Sequence, residues 1–230
     1  MRTTSSRFST LISDCDGVLI DSEVVAHEVL VHETQTVFPS VDVDALLNSS
    51  FGQKTEELVR QVARHANQEI PDGFLRRLRI LTDASIEELA LPVANVDVLL
   101  RCPQLKAVVS NSGMARIMSA VSKIRLQRDD VKIYSADQVT EPKPSPMLYQ
   151  LAAQGLAVAP EQCLVIEDSS SGVRAALAAG MSVLGFVGGQ HIPPSHAADL
   201  LEMGVLAVFD EMEDLPQLLE QTAGWTVQQK

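Results

Sequence analysis

Hydrophobic positions along the chain fall into short, nearly unbroken runs at residues 8–12, 107–109, 131–134, 163–166, 183–187 and 206–209. Most of their members are β-branched, alternation within a run is weak, and several runs end on a polar cluster or a glycine. That is the pattern of parallel strands buried on both faces. Between the runs, residues 114–123, 146–154 and 171–179 carry helical spacing, and Gly180 stands where a left-handed residue commonly closes a helix. Strand alternating with helix predicts an α/β fold with a doubly wound parallel sheet.

Residues 22–89 break the alternation. They carry helical patterns and no convincing strand, interrupted at Pro39, at Gly52 and at Pro71-Asp72-Gly73. The economical reading is a small all-helical cap domain over residues 21–89, inserted into a core formed by residues 1–20 and 90–230. Its linkers fall near residues 20–22 and 91–96. Such a cap would cover the carboxyl ends of the core strands, where open α/β sheets bind their ligands.

Composition narrows the choice of partner. An apolar fraction of 46% excludes wholesale disorder, while a net charge of −12 and 4% aromatic residues argue against nucleic acid and anionic lipid. Neither a signal-peptide apolar segment nor a membrane-length run is present, so a cytoplasmic protein with no membrane partner is expected. Cys15, Cys102 and Cys163 are odd in number and far apart, which suggests neither a disulfide framework nor a structural zinc site. Nothing signals a dimer, and a monomer is expected.

Four clusters, three of them at strand ends, carry the chemistry. The first strand ends Asp14-Cys15-Asp16-Gly17, and side chains two apart on extended backbone share a face. The second ends Ser110-Asn111-Ser112-Gly113, whose hydroxyl and backbone donors could dock an anion. Lys143 is held among alternate prolines in Glu141-Pro142-Lys143-Pro144-Ser145-Pro146, and a fourth strand ends Glu167-Asp168-Ser169. Each has an ordinary reading alone: an Asp-Gly turn, a polar turn, a stiff loop with a solvated lysine, an acidic helix start. Together, Asp14, Asp16, Glu167 and Asp168 would crowd four negative charges at one edge of the sheet, which calls for a counter-charge. Oxygen-only ligands point to a hard divalent ion, Mg²⁺ by preference, able to bridge carboxylates to a substrate phosphate.

In this order and at these spacings, Asp14-x-Asp16-Gly17, Ser110, Lys143 and Glu167-Asp168 resemble the four motifs of the haloacid dehalogenase superfamily. The insertion after the first motif resembles that of its helical-cap, β-phosphoglucomutase-like phosphatases. The resemblance spans nearly the whole chain and implies a Rossmann-like core. It implies that Asp14 is the nucleophile that forms an aspartyl-phosphate, and that Asp16 protonates the leaving oxygen and then deprotonates water. Ser110, Asn111 and Lys143 would bind the phosphoryl group. Mg²⁺ would be held by Asp14, the backbone carbonyl of Asp16 and Asp168, with Glu167 close by or acting through water.

The expected activity is Mg²⁺-dependent hydrolysis of a small phosphorylated metabolite, a sugar phosphate or a phosphorylated sugar acid. Gly52, Gln53 and Lys54 resemble the substrate-facing loop of such caps, although the same stretch reads as an ordinary helix start at Thr55. A sugar-phosphate mutase is the alternative. Mutases of this group carry a histidine on the first cap helix, and the matching position here is Ala26, with His27 one residue away and so about 100° round the helix. A receiver-like phospho-acceptor switch is disfavoured, because its acidic pair precedes the acceptor. His191 and His196 read as part of a solvated loop after the fifth strand, and Trp225 as a packing anchor.

Overall fold

A computed structural model describes residues 8–47, 54–190, 192–193 and 195–222. The chain divides into two compact units, one formed by residues 1–20, 92–189 and 194–230, the other by residues 21–91 and 190–193.

The first unit is built on six parallel strands: β1 (Thr10–Ser13), β4 (Leu105–Ser110), β5 (Lys132–Ser135), β6 (Cys163–Glu167), β7 (Ser182–Phe186) and β8 (Ala207–Phe209). They lie in the order β5-β4-β1-β6-β7-β8. β1 sits in the interior, with Ile12 opposite Ala107 on one side and Val165 on the other. The connections are α5 (Val96–Leu100), α6 (Met114–Lys123), α7 (Met147–Leu156), α8 (Ser170–Ala178), α9 (His196–Glu202) and α10 (Leu215–Thr222). Ile12, Val109, Leu148, Tyr149, Val165, Val173 and Val183 pack into one core. This is the doubly wound, Rossmann-like sheet that the β-branched runs predict. Gly180 closes the turn after α8 with φ of +83°, as its position predicts.

Three strands run past the apolar residues that mark them. Ser13, Ser110 and Ser135 are all buried, at 0%, 1% and 0% exposure, each as the last residue of its strand. A reading based on hydrophobicity stops before such residues, although their backbones still pair. Ser110 lies opposite Ser135, and Ser13 opposite both Val108 and Ile166. Buried serine is tolerable when its hydroxyl is satisfied: that of Ser13 donates to the Asp14 carbonyl at 2.6 Å.

The second unit holds α1 (Ser22–Val37), α2 (Val43–Leu47), α3 (Thr55–Ala66) and α4 (Phe74–Leu89). Its own core gathers Leu30, Phe38, Val59, Val62, Phe74 and Leu78. The chain enters and leaves through β2 (Ile20–Asp21) and β3 (Leu91–Pro92), which pair with each other. Two residues are too few to show a period, so the sequence reads them only as linkers. Among the described residues no helix is long and apolar enough to cross a membrane.

Candidate active site

The site is built at the carboxyl ends of β1, β4 and β6. Beyond Ser13 the backbone of Asp14 still follows the sheet, its N–H donating to the Ile166 carbonyl at 2.9 Å. Gly17, at φ of +81°, then turns the chain back, so that its N–H donates to the Ile20 carbonyl at 2.8 Å. A Cβ at Gly17 would overlap the Asp168 carboxylate, so this glycine also makes room for the Asp168 side chain.

Asp14 and Asp16 leave the turn with separate companions. Lys143 is buried and its ammonium donates to Asp14 Oδ1 at 2.6 Å, to Glu167 Oε1 at 2.7 Å and to the Val109 carbonyl at 2.9 Å. That exhausts its three donors. The same Nζ lies 4.8 Å from the centre of the Tyr149 ring, and the Tyr149 hydroxyl donates to Glu167 Oε1 at 2.9 Å. Glu167 Oε2 accepts from the N–H and hydroxyl of Ser169. Asp16 instead accepts from the Ser110 hydroxyl at 2.9 Å, the Ser112 hydroxyl at 2.7 Å and Arg116 Nη2 at 2.7 Å. The crowded negative charge is therefore divided between two cations, Lys143 between Asp14 and Glu167, and Arg116 on Asp16.

Burial works on these groups in opposite directions. It pushes the Asp14 carboxyl above the ordinary carboxylate range, with Lys143 pulling it down and Glu167 and Asp16 adding to the rise. Burial alone would favour neutral Lys143, but the Asp14 and Glu167 carboxylates outweigh it and hold the ammonium protonated, above the ordinary lysine value.

Asp14, Glu167 and Asp168 offer oxygen atoms that all lie within 4.8 Å of one another. Among the described residues no other group of three histidine, cysteine or acidic side chains is arranged this way. Buried carboxylates packed this closely, without a nitrogen or sulfur ligand among them, fit a hard divalent cation. The Asp16 side chain lies outside this group, which leaves only its backbone available for the ligand role that the resemblance implies.

Asn111 was expected at the phosphate. Its side-chain oxygen accepts from the Lys143 N–H at 2.8 Å and its amide donates to the Lys143 carbonyl at 3.0 Å, so the side chain positions Lys143. Lys54 is exposed at the N-cap of α3, while Gly52 and Gln53 lie outside the described residues. Half-exposed His27 points its Nε2 toward Asp44 Oδ1, 3.6 Å away. The expectation of a solvated loop fails for His196. It is 2% exposed, opens α9, and places Nε2 2.6 Å from the Asp168 carbonyl. The cause is the helix itself, which turns this side chain inward. His191 and Trp225 lie outside the described residues.

Arg116 and Tyr149 escape the sequence reading, which notes Ser112 only within its anion-docking cluster and His196 only as a loop residue. One signal did exist for Arg116, which sits in the first turn of α6, the end of a helix where a cation is disfavoured. An arginine there invites a search for the anion that holds it.

Residues 11–186 match the model of the haloacid dehalogenase-like hydrolase family. The chain belongs to this family. It is similar to the 6-phosphogluconate phosphatase of Escherichia coli K12, with 25% identity covering 96% of this chain and 99% of that one. A haloacid dehalogenase-like protein of unknown function from Agrobacterium tumefaciens superposes with a TM-score of 0.82 at 30% identity, over 94% of this chain and 99% of that one. A family hydrolase from Deinococcus radiodurans, solved with bound phosphate and sodium, superposes with a TM-score of 0.79 at 28% identity, over 95% and 97% of the two chains. As a haloacid dehalogenase-like hydrolase, the chain keeps three of its motif clusters at the ends of β1, β4 and β6, and Lys143 meets them from the segment between β5 and α7.

Proposed function

We propose that this haloacid dehalogenase-like hydrolase is a phosphomonoesterase acting on small phosphorylated sugars or sugar acids, with Asp14 as nucleophile and Mg²⁺ as cofactor. The observation that carries the reading is the Lys143 ammonium seated between Asp14 and Glu167, 2.6 and 2.7 Å away, two carboxylates grouped with that of Asp168. A buried carboxylate with a fixed cation at one oxygen is restricted to one direction of attack. The 6-phosphogluconate phosphatase, which matches along almost its entire length, supports the substrate class.

In this mechanism an Asp14 carboxylate oxygen attacks phosphorus, and the bond to the leaving oxygen breaks as Asp16 gives that oxygen a proton. Asp16 then takes a proton from water, the resulting hydroxide attacks phosphorus, and the bond to Asp14 breaks to release inorganic phosphate. Ser110, Ser112 and Arg116 orient Asp16 throughout. Lys143 offsets charge at the transferring group. Mg²⁺, held by Asp14 and Asp168 with the Asp16 carbonyl, would supply neutralisation of the phosphoryl oxygens, the main requirement of such transfers.

The test is a phosphate-release screen over sugar phosphates, phosphorylated sugar acids, phosphoglycolate and nucleotides, with Mg²⁺ and with chelator, also scored for isomerised product. Hydrolysis confined to Mg²⁺ and abolished in Asp14→Asn is expected. Full activity in Asp14→Asn would remove the nucleophile assignment, and isomerisation without phosphate release would make the protein a mutase.

A further inference from the structure

Asp168 lies between the last residue of β6, Glu167, and the N-cap of α8, Ser169, outside both elements. The residue is 5% exposed, and its carboxylate packs over the bare Cα of Gly17. Its backbone is gripped from the other direction. The His196 ring is buried at 2% exposure, with Nε2 2.6 Å from the Asp168 carbonyl oxygen. A carbonyl only accepts, so Nε2 carries the hydrogen. The ring's other nitrogen faces Asp199 on the same helix, at 3.9 Å. The start of α9 thus delivers one directed donor onto a residue of the carboxylate group that has no place in strand or helix.

We infer that His196 is a positioning residue for the divalent-cation site, fixing the Asp168 backbone so that its carboxylate stays within reach of Asp14 and Glu167. The inference rests on the cation reading of that carboxylate group. Aiming a ligand carboxylate matters because a small cation such as Mg²⁺ tolerates little departure from its preferred geometry, and the groups that orient ligands commonly govern metal affinity ten- to hundredfold. A histidine buried only for packing would contribute volume to α9 and nothing to the ion. The two roles make different predictions.

His196→Leu keeps bulk and removes the donor. His196→Gln returns a donor N–H at similar reach. Leu200→Ala loosens α9 at a fully buried position without altering any group on Asp168. Mg²⁺ binding is read by calorimetry on the full chain without substrate, Mn²⁺ binding by the resonance of the free ion, and folding by thermal melting. The expected result is Mg²⁺ and Mn²⁺ affinity about tenfold weaker or more in His196→Leu and within about threefold of wild type in His196→Gln. In Leu200→Ala, affinity is unchanged despite a lower Tm. In His196→Leu at saturating Mg²⁺, kcat for phosphate release should stay within about twofold of wild type while half-saturating Mg²⁺ rises. Unchanged affinity in folded His196→Leu would overturn the inference. So would equal losses in His196→Leu and Leu200→Ala, or no recovery in His196→Gln. Should His196→Leu fail to fold, the Gln and Leu200 variants still decide, because a packing role predicts that affinity follows Tm in both. A wild-type chain that binds neither ion would instead sink the cation reading itself.

Discussion

Replacing Lys143 by methionine isolates the contact on which the site is built. Methionine preserves most of the volume and can rest against the Tyr149 ring, so little cavity forms. What is lost is one ammonium, with its side chain 3% exposed, shared by an Asp14 side chain at 9% and a Glu167 side chain at 0%. Removing one partner of a buried ion pair costs about 3–5 kcal/mol, because the charge left behind stays desolvated. Glu167 keeps three donors, from Tyr149 and Ser169, so the penalty falls chiefly on Asp14. At about 2–4 °C per kcal/mol for a chain of this size, Tm in chelator should fall by roughly 6–20 °C.

The sign of the pH dependence gives a second readout. In the wild type the folded-state value of Lys143 is raised, so its stabilisation is fully present below the ordinary lysine value of 10.5 and is lost as pH rises through the higher folded value. Tm should therefore show no loss from this group between pH 6 and 9. In Lys143→Met the raised Asp14 carboxyl loses the neighbour that pulls it down, so its folded value rises further. Stability of the variant then increases as pH falls and declines as pH rises through that folded value. Mg²⁺ should recover more Tm in the variant than in the wild type, since the ion replaces a missing positive charge. Adding Glu167→Gln to Lys143→Met should restore part of the loss. A variant that melts within about 2 °C of wild type in chelator, with no slope against pH, would show that the buried ammonium is not what balances these carboxylates.

Gly172→Ala places a methyl on the Glu167 carboxylate and must displace it, together with the Lys143 it holds; loss of phosphate release with destabilisation of at least about 1–3 kcal/mol is expected in urea melts, and wild-type behaviour would contradict the contact. Arg116→Met removes a charged donor from Asp16, and at about 1.5–3 kcal/mol for such a bond kcat should drop roughly ten- to a hundredfold; unchanged kcat would separate Arg116 from the chemistry. Cys15, Cys102 and Cys163 are buried free thiols, and burial pushes Cys163 up to about 11. Iodoacetamide at pH 8 should leave all three unlabelled in the native protein and label all three in denaturant, and mass spectrometry counts them.

The strands and the four motif clusters were legible for one reason. Strands buried on both faces leave continuous apolar runs, and those of β1, β4 and β6 stop where the chain meets the site. The errors are physical at the same points. Ser13 and Ser110 extend their strands although they are polar, because a rim residue must be buried and still offer a hydroxyl; Ser110 uses its own on Asp16. The residues that escaped reach the site from the helices: Arg116 from α6, Tyr149 from α7 and His196 from α9. No motif spacing ties Arg116 to Asp16 or His196 to Asp168, since their separations are set by the lengths of the intervening crossovers. Each nevertheless supplies what the acidic strand ends lack, a donor or a cation. The negative charge read at residues 14, 16, 167 and 168 therefore implied partners that the sequence could not name. Finding the counter-charges is the step that only packing completes, and here that step separates Asp16, held by Arg116, from Asp14, held by Lys143. Two carboxylates two residues apart thereby acquire different surroundings.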